Sequence, residues 1–179
     1  AMVQGIVAQG LAAPSDIVVS ARTQATLDAV HERFGVDTTL DNAQACQASL
    51  VFLAVKPQMY EAVIAEVKPH LPEDMVLVSI APGKSLAWLG EQSGVRKIVR
   101  LMPNTPAAVG EGMTAVVVGE ACERADIDAV LSVVDSFGKS EIIPEHLIDA
   151  ASAAAGCSPA FTYMFIESMA DAAVLEGMP

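Results

Sequence analysis

Leu50-Val51-Phe52-Leu53-Ala54-Val55-Lys56-Pro57 is apolar on both faces until a cation and a proline end the run. A strand with water on one side alternates apolar and polar residues, whereas one covered by helices on both sides does not. Leu50 to Val55 therefore reads as an interior strand of a doubly covered sheet. A helix is expected from about Pro57, with Tyr60, Val63, Ile64, Val67 and Leu71 along one stripe. Met75 to Ile80 and Lys97 to Leu101 repeat the strand pattern, with a helix between them around Ser85 to Gln92.

The same alternation extends in both directions. Upstream, a turn at Pro14 leads to a strand at Ile17 to Ser20, and Arg22 to Phe34 carries Leu27, Val30 and Phe34 at helical spacing. Asp41 with Gln44 three residues later predicts a capping box opening a short helix. Downstream, strands at Thr114 to Val118 and Ser140 to Ile143 flank a helix bearing Ile127, Val130, Leu131, Val134 and Phe137. Strands alternating with helices of this length form parallel βαβ units. The fold class is α/β, a doubly wound and mostly parallel sheet.

From about Leu147 only helix is expected. Ala150 to Ala155 is nearly all small, and Ser158-Pro159 predicts an N-cap followed by proline at the first helical position. Phe161, Phe165, Met169 and Ala172 then fall in one row with nothing after them to cover it, so a further domain or a partner subunit is expected there. The boundary is placed near residue 146, giving units 1–146 and 147–179. At the other end the chain opens inside a helical pattern of Met2, Val3, Ile6, Val7 and Leu11, and a preceding segment is expected.

Composition removes several classes of function. With 10 basic and 22 acidic residues the formal charge is −12, a field that repels phosphate backbones, and nucleic acid is not an expected partner. Cys46, Cys122 and Cys157 are odd in number and far apart, which suits free thiols in a reducing cytoplasm. The most apolar late stretch, Ala160 to Leu175, is interrupted by Glu167 and Asp171, so no membrane association is expected. No Ser-His-Asp, HExxH or phosphate-loop lysine motif is present, and no metal site is expected. His31, His70 and His146 have no paired carboxylate or metal-like spacing.

In an open parallel sheet, ligands lie beyond the carboxyl ends of the strands. After the first strand come Ser20, Ala21, Arg22 and Thr23. Hydroxyls and a guanidinium suit a 2′-phosphate, where an acid would suit free ribose hydroxyls; a polar turn with a solvated arginine fits equally well. Lys56 is a cation at a strand-to-helix turn fixed by Pro57, and a solvated surface charge is the plainer reading. Ala81-Pro82-Gly83 brings small residues to a place where backbone meets ligand, although a plain tight turn looks the same. Met102-Pro103-Asn104-Thr105-Pro106 is a shaped loop, with two prolines enforcing extension and Asn104 offering a donor and an acceptor to the crevice. Cys157 lies before an expected helix N-terminus, where a thiolate is favoured, and packing of a small residue is the plainer reading.

Five segments then carry a resemblance. Ala54-Val55-Lys56-Pro57, Ser79-Ile80-Ala81-Pro82-Gly83, Arg100-Leu101-Met102-Pro103-Asn104-Thr105-Pro106, Gly156-Cys157-Ser158-Pro159-Ala160, and Phe165 to Ala173 with Gly177-Met178-Pro179 resemble the bacterial pyrroline-5-carboxylate reductases. The likeness runs from end to end. It implies an N-terminal Rossmann-type domain that binds NADPH, with NADH as a possible alternative, and the start of an all-helical dimerisation domain. The implied reaction is hydride transfer to the cyclic imine 1-pyrroline-5-carboxylate, giving L-proline. A homodimer or higher homo-oligomer through the C-terminal helices goes with it.

By that resemblance Ser20 and Arg22 would lie at the adenosine 2′-phosphate and Asn42 near the adenine ribose. Ala54, Val55, Lys56 and Pro57 would line the middle of the cofactor, with Ala81, Pro82 and Gly83 at its nicotinamide end. Pro103 and Asn104 would form the crevice floor. The family's first strand and Gly-rich loop are expected ahead of residue 1, and the helices that hold the substrate carboxylate after Pro179. Pro82 and Cys157 stand where the family more often has Ala and Ser. No residue qualifies as a general acid, and the catalytic assignment stays open. Two rival readings are a 3-hydroxyacid dehydrogenase and a non-catalytic dinucleotide-binding module. The first relies on a lysine in its helical region, and no lysine follows Lys139.

Overall fold

In the computed structural model, which describes residues 1–179, the six expected strands form, a seventh appears unforeseen at Asp37–Thr39, and the periodic stretches become helices. α1 (Met2–Ala8) leads through a 3-10 turn to β1 (Val18–Ser20), α2 (Gln24–Phe34), β2 (Asp37–Thr39) and α3 (Asn42–Ala45). The central units are β3 (Leu50–Leu53), α4 (Tyr60–Val67), β4 (Val76–Ser79), α5 (Leu86–Ser93) and β5 (Lys97–Met102). They are followed by β6 (Gly112–Val118), α6 (Arg124–Asp135) and β7 (Gly138–Ile142). Beyond these the chain is helical: α7 (Ile148–Ala151), a π-helical turn at Ser152–Cys157, and α8 (Ser158–Leu175).

Local chemistry sets the boundaries. Thr23 caps α2 by accepting from the Thr26 N–H, and Gly35 ends that helix in the left-handed region at φ 69°. Ser85 and Gly94 do the same for α5. Asp41 caps α3 through the Ala43 N–H at 2.8 Å, but the expected box is only half formed. Gln44 accepts from the Thr39 hydroxyl at 2.7 Å, and the same hydroxyl takes the Asp41 N–H at 3.0 Å.

Strands β3, β4 and β5 pair in parallel, β6 runs antiparallel to β5, and β7 is parallel to β6. Side chains leave the sheet on both faces into two separate cores. Val51, Leu53, Leu77 and Ile98 meet Tyr60, Ile64 and Val67 of α4 and Leu89 of α5. On the other face Val76, Val78, Val99, Leu101 and Val116 meet Val130, Val133 and Val134 of α6, with Met2 and Ile6 of α1 beside them. β1 and β2 form a separate parallel pair. Between that pair and β3 runs a slot of about 860 Å³, lined by Ile17 to Ser20 on one side and Leu50 to Val55 on the other.

Two expected features are corrected near the start of α8, the first being Cys157, which is exposed rather than packed. Ser158 does not cap a new helix; its backbone is helical at φ −56° and ψ −35°, and the helix runs through it. Pro159 nevertheless leaves a mark. It has no N–H for the carbonyl of Ala155, four residues earlier, and the preceding turn is widened to π geometry, a common response to a disturbed hydrogen-bond ladder. α8 carries no buried residue, with Phe161, Phe165 and Met169 exposed by 68%, 65% and 59%.

The packing of α1 on α6 depends on Gly5. A Cβ there would stand 2.3 Å from the Ser136 hydroxyl and 2.8 Å from the Ser136 carbonyl oxygen. Gly5→Ala should therefore destabilise the chain by about 1–3 kcal/mol, as overpacking does. Removing the hydroxyl with Ser136→Ala should restore only part of that loss, because the backbone contact remains. Urea denaturation of the two single variants and the double variant checks both statements.

Candidate functional site

The ends of the strands decide what the surface offers. β1, β3 and β4 each finish in a turn whose residues come from the predicted set. Ser20 is the last residue of β1 and half-buried, while Arg22 is exposed in the turn that precedes α2. Ala54 and Lys56 are exposed after β3, with Val55 and Pro57 half-buried between and after them. After β4, Ala81 is buried and Pro82 and Gly83 are exposed. Ser20, Asn42, Ala54 and Val55 all line the slot, so the first two turns open onto one space. In doubly wound folds a ligand lies beyond the carboxyl ends of the strands, where these turns sit, and not in the largely apolar slot between the strand edges.

The backbone here is shaped for close approach. Gly83 has φ +72°, and a Cβ built on it would meet nothing within 4 Å. Ala81, two residues before it, adds only a methyl group. Lys84, next in the chain, lies 3.8 Å from the centre of the Trp88 ring and 3.9 Å from Glu61, so the exit from the turn is held by a cation–π contact and an ion pair.

A buried polar chain joins the second and third turns. The Tyr60 hydroxyl donates to the Leu53 carbonyl at 2.5 Å, the Ser79 hydroxyl donates to Tyr60 Oη at 3.1 Å, and the Ala81 N–H donates to Ser79 Oγ at 3.3 Å. Leu53 and Ser79 are themselves partners in the β3–β4 ladder. Tyr60 and Ser79 are 0% and 1% exposed. The apolar stripe of α4 concealed this role, although a buried tyrosine hydroxyl requires a partner and could have signalled it.

Other predicted residues are committed elsewhere. Asn104 does not hold its amide free for the crevice: Oδ1 accepts from the Met113 N–H at 2.9 Å, and Nδ2 donates to the Ala155 carbonyl at 3.0 Å. That carbonyl is the one four residues before Pro159, so Asn104 ties the proline-flanked loop to the π-helical turn. Asn42 donates to both carboxylate oxygens of Glu66 at 3.2 Å. Pro103 is half-buried beside Asn104.

A second polar pairing, buried on its arginine side, was not foreseen. Arg100, in the middle of β5 and 5% exposed, bonds through Nη1 to Glu145 Oε1 at 2.5 Å. The same oxygen accepts the Leu86 N–H at 2.8 Å, at the start of α5. Glu145 thereby connects the sheet, α5 and the approach to the helical segment.

No cluster of three or more His, Cys, Asp or Glu residues is placed to hold a metal ion. Burial, reinforced by Glu66 and Asp41, pushes the Cys46 thiol up; burial, reinforced by Asp126, does the same to Cys122. Both are kept as thiols, which are poor nucleophiles.

Comparison with known proteins agrees with this architecture. Residues 1–83 match the family model described as NADP oxidoreductase coenzyme F420-dependent, and residues 145–179 match pyrroline-5-carboxylate reductase dimerisation. The chain is 40% identical over 181 residues to the pyrroline-5-carboxylate reductase of Escherichia coli, covering 100% of this chain and 67% of that one. The structure of a pyrroline-5-carboxylate reductase from Coxiella burnetii superposes with a TM-score of 0.93 at 32% identity, covering 99% of this chain and 67% of that one. The Plasmodium falciparum pyrroline carboxylate reductase, solved with NADP bound, gives 0.87 at 29% identity over 99% of this chain and 66% of its own.

Tyr60 supplies a test of the polar chain. Burial raises its phenol above the ordinary value of 10, partly offset by the Ser79 hydroxyl and by the backbone at Ile80 and Ala81. The folded state thus holds this proton more tightly than the unfolded state. The associated stability is complete below the ordinary phenol value and is lost as pH rises through the raised one. Urea denaturation between about pH 9 and pH 11 should show an alkaline loss that Tyr60→Phe reduces. An equally steep loss in the variant would assign that loss to other groups.

Proposed function

The chain belongs to the pyrroline-5-carboxylate reductases, oxidoreductases that use a nicotinamide cofactor, and we propose that it reduces 1-pyrroline-5-carboxylate to L-proline with NADPH. The observation that carries this reading is the family match combined with the grouping of three short turns at the carboxyl ends of parallel strands. The family match favours this reading over that of a hydroxyacid dehydrogenase.

The residues present fit a dinucleotide. The turn at Ala81 to Gly83 is small and open, with left-handed backbone at Gly83. Arg22 is exposed and Ser20 is at the adjoining strand end, a donor set suited to a phosphate dianion. In this reading Ser20 and Arg22 hold the 2′-phosphate, and Asn42 lies near the adenine ribose, its amide already oriented by Glu66. Ala54, Val55, Lys56 and Pro57 line the middle of the cofactor; Ala81, Pro82 and Gly83 line the nicotinamide end. Pro103 and Asn104 shape the floor, Asn104 through the loop it fixes.

When bound, NADPH supplies the hydride for the imine carbon. A protonated ring nitrogen makes that carbon a far better acceptor, and the work of this chain is to orient the two partners. Rigid turns on strand ends suit that task, since small displacements at the reacting carbon are costly. None of the residues described here is assigned as a general acid.

Residues 1–146 are taken as the cofactor domain and 147–179 as the start of the helical one. The exposed row Phe161, Phe165 and Met169 on α8 falls within the segment that matches the dimerisation family, and we assign it to a homo-oligomer interface. The three free cysteines suit a cytoplasmic site of action.

NADPH consumption by the full-length enzyme with pyrroline-5-carboxylate tests the reaction, with a 3-hydroxy acid and NADP⁺ assayed in parallel. Turnover of the imine alone is expected; turnover of the hydroxy acid alone would overturn the proposal. Arg22→Ala should weaken NADPH binding about tenfold or more, as loss of a charge-assisted bond does, while NADH binding changes little. Equal losses for the two cofactors would place the 2′-phosphate away from Arg22.

A further inference from the structure

Tyr60 lies on α4 and is fully buried, and the reaction makes no direct use of it. Its hydroxyl is nevertheless the middle of a continuous buried sequence of donors and acceptors. One end is the Leu53 carbonyl, directly before Ala54; the other is the Ala81 N–H, directly before Pro82. The two turns assigned to the middle and the nicotinamide end of the cofactor are thus joined from below.

The arrangement has a physical purpose that packing alone does not supply. At the last residue pair of a parallel ladder the strands are free to separate, and the carbonyl and N–H groups beyond it lack ladder partners. Leu53 and Ser79 are that last pair between β3 and β4. Past them the ladder is continued by side chains: Tyr60 satisfies the carbonyl on one strand, and Ser79 satisfies the N–H on the other. Both groups are fully buried, where an unsatisfied polar atom is costly and a satisfied one is geometrically restrictive. A phenylalanine at position 60 would fill nearly the same volume and leave the Leu53 carbonyl and the Ser79 O–H without the partner they have here.

We propose that Tyr60 and Ser79 are positioning residues for the cofactor: their hydroxyls fix the spacing between the Ala54–Pro57 and Ala81–Gly83 turns, and through it the placement of the nicotinamide ring. Neither residue touches the substrate. This assignment rests on the reading of those turns as the cofactor site.

The test uses the full-length enzyme and its Tyr60→Phe, Ser79→Ala and double variants, with Leu89→Val as a core control outside the polar chain. NADPH dissociation constants are measured by fluorescence titration, and kcat and KM with pyrroline-5-carboxylate by NADPH consumption. Each hydroxyl removal should raise the NADPH dissociation constant about three- to tenfold and lower kcat, leaving KM for the imine within about twofold. The double variant should be little worse than either single one, because both break the same chain. Leu89→Val should lose stability with NADPH binding intact. The proposal is overturned if Tyr60→Phe folds and binds NADPH as the wild type does, or if Leu89→Val weakens binding equally. Wild-type enzyme that fails to bind NADPH would instead overturn the functional reading on which the proposal rests.

Discussion

Burial of β3, β4 and β5 on both faces is the constraint from which the rest of the molecule follows. Helices cover both faces of those strands, so the polar groups without ladder partners lie at the strand ends and along the free edge of β3. At the carboxyl ends, the turns after β3 and β4 must be small, rigid or internally bonded to keep the backbone satisfied. Ala54, Pro57, Ala81 and Gly83 answer the first two needs, and the hydroxyls of Tyr60 and Ser79 answer the third. A surface shaped in this way by folding is also one that a flat, charged ligand can approach closely.

The same logic joins the sheet to the helical segment. Pro159 interrupts a helix that otherwise runs from Ile148 to Leu175, and the disturbed carbonyl at Ala155 is met by Asn104 from the loop after β5. Glu145 takes both Arg100 and the first N–H of α5. Two polar contacts thus anchor the start of the helices to β5 and the loop that follows it. Exposure of the apolar row on α8 is balanced by this anchoring: the helix is held at its base and presents its aromatic residues outward.

Much of the fold was legible in the sequence because period and punctuation agree. Apolar runs of four to six residues, broken by Lys56-Pro57, Pro82-Gly83 and Pro103-Asn104, marked strands to within two residues. Asp41 marked the start of α3, and the helix expected around Ser85 begins there. Where the reading failed, a partner distant in sequence had intervened. Ser158 resembles a cap, yet the helix continues through it because the ladder yields at the π turn instead. Asn104 resembles a free donor and acceptor, yet its partners are Met113 and Ala155, the latter 51 residues away. Tyr60 was legible only as an apolar stripe member, since its hydroxyl depends on two strands brought together by the sheet. Arg100 and Glu145, 45 residues apart, carry no local signal of their pairing.

The resemblance carried by the strand-end segments therefore rests on residues that differ in kind. Some present surface to the crevice, and others hold the surface in place; single-letter patterns do not distinguish them. Structure determination of the full-length enzyme with NADPH bound bears on the whole account most directly. The account predicts the nucleotide against Val55, Lys56 and Pro82, with its 2′-phosphate between Ser20 and Arg22. A nucleotide located on any other face of the molecule would contradict it.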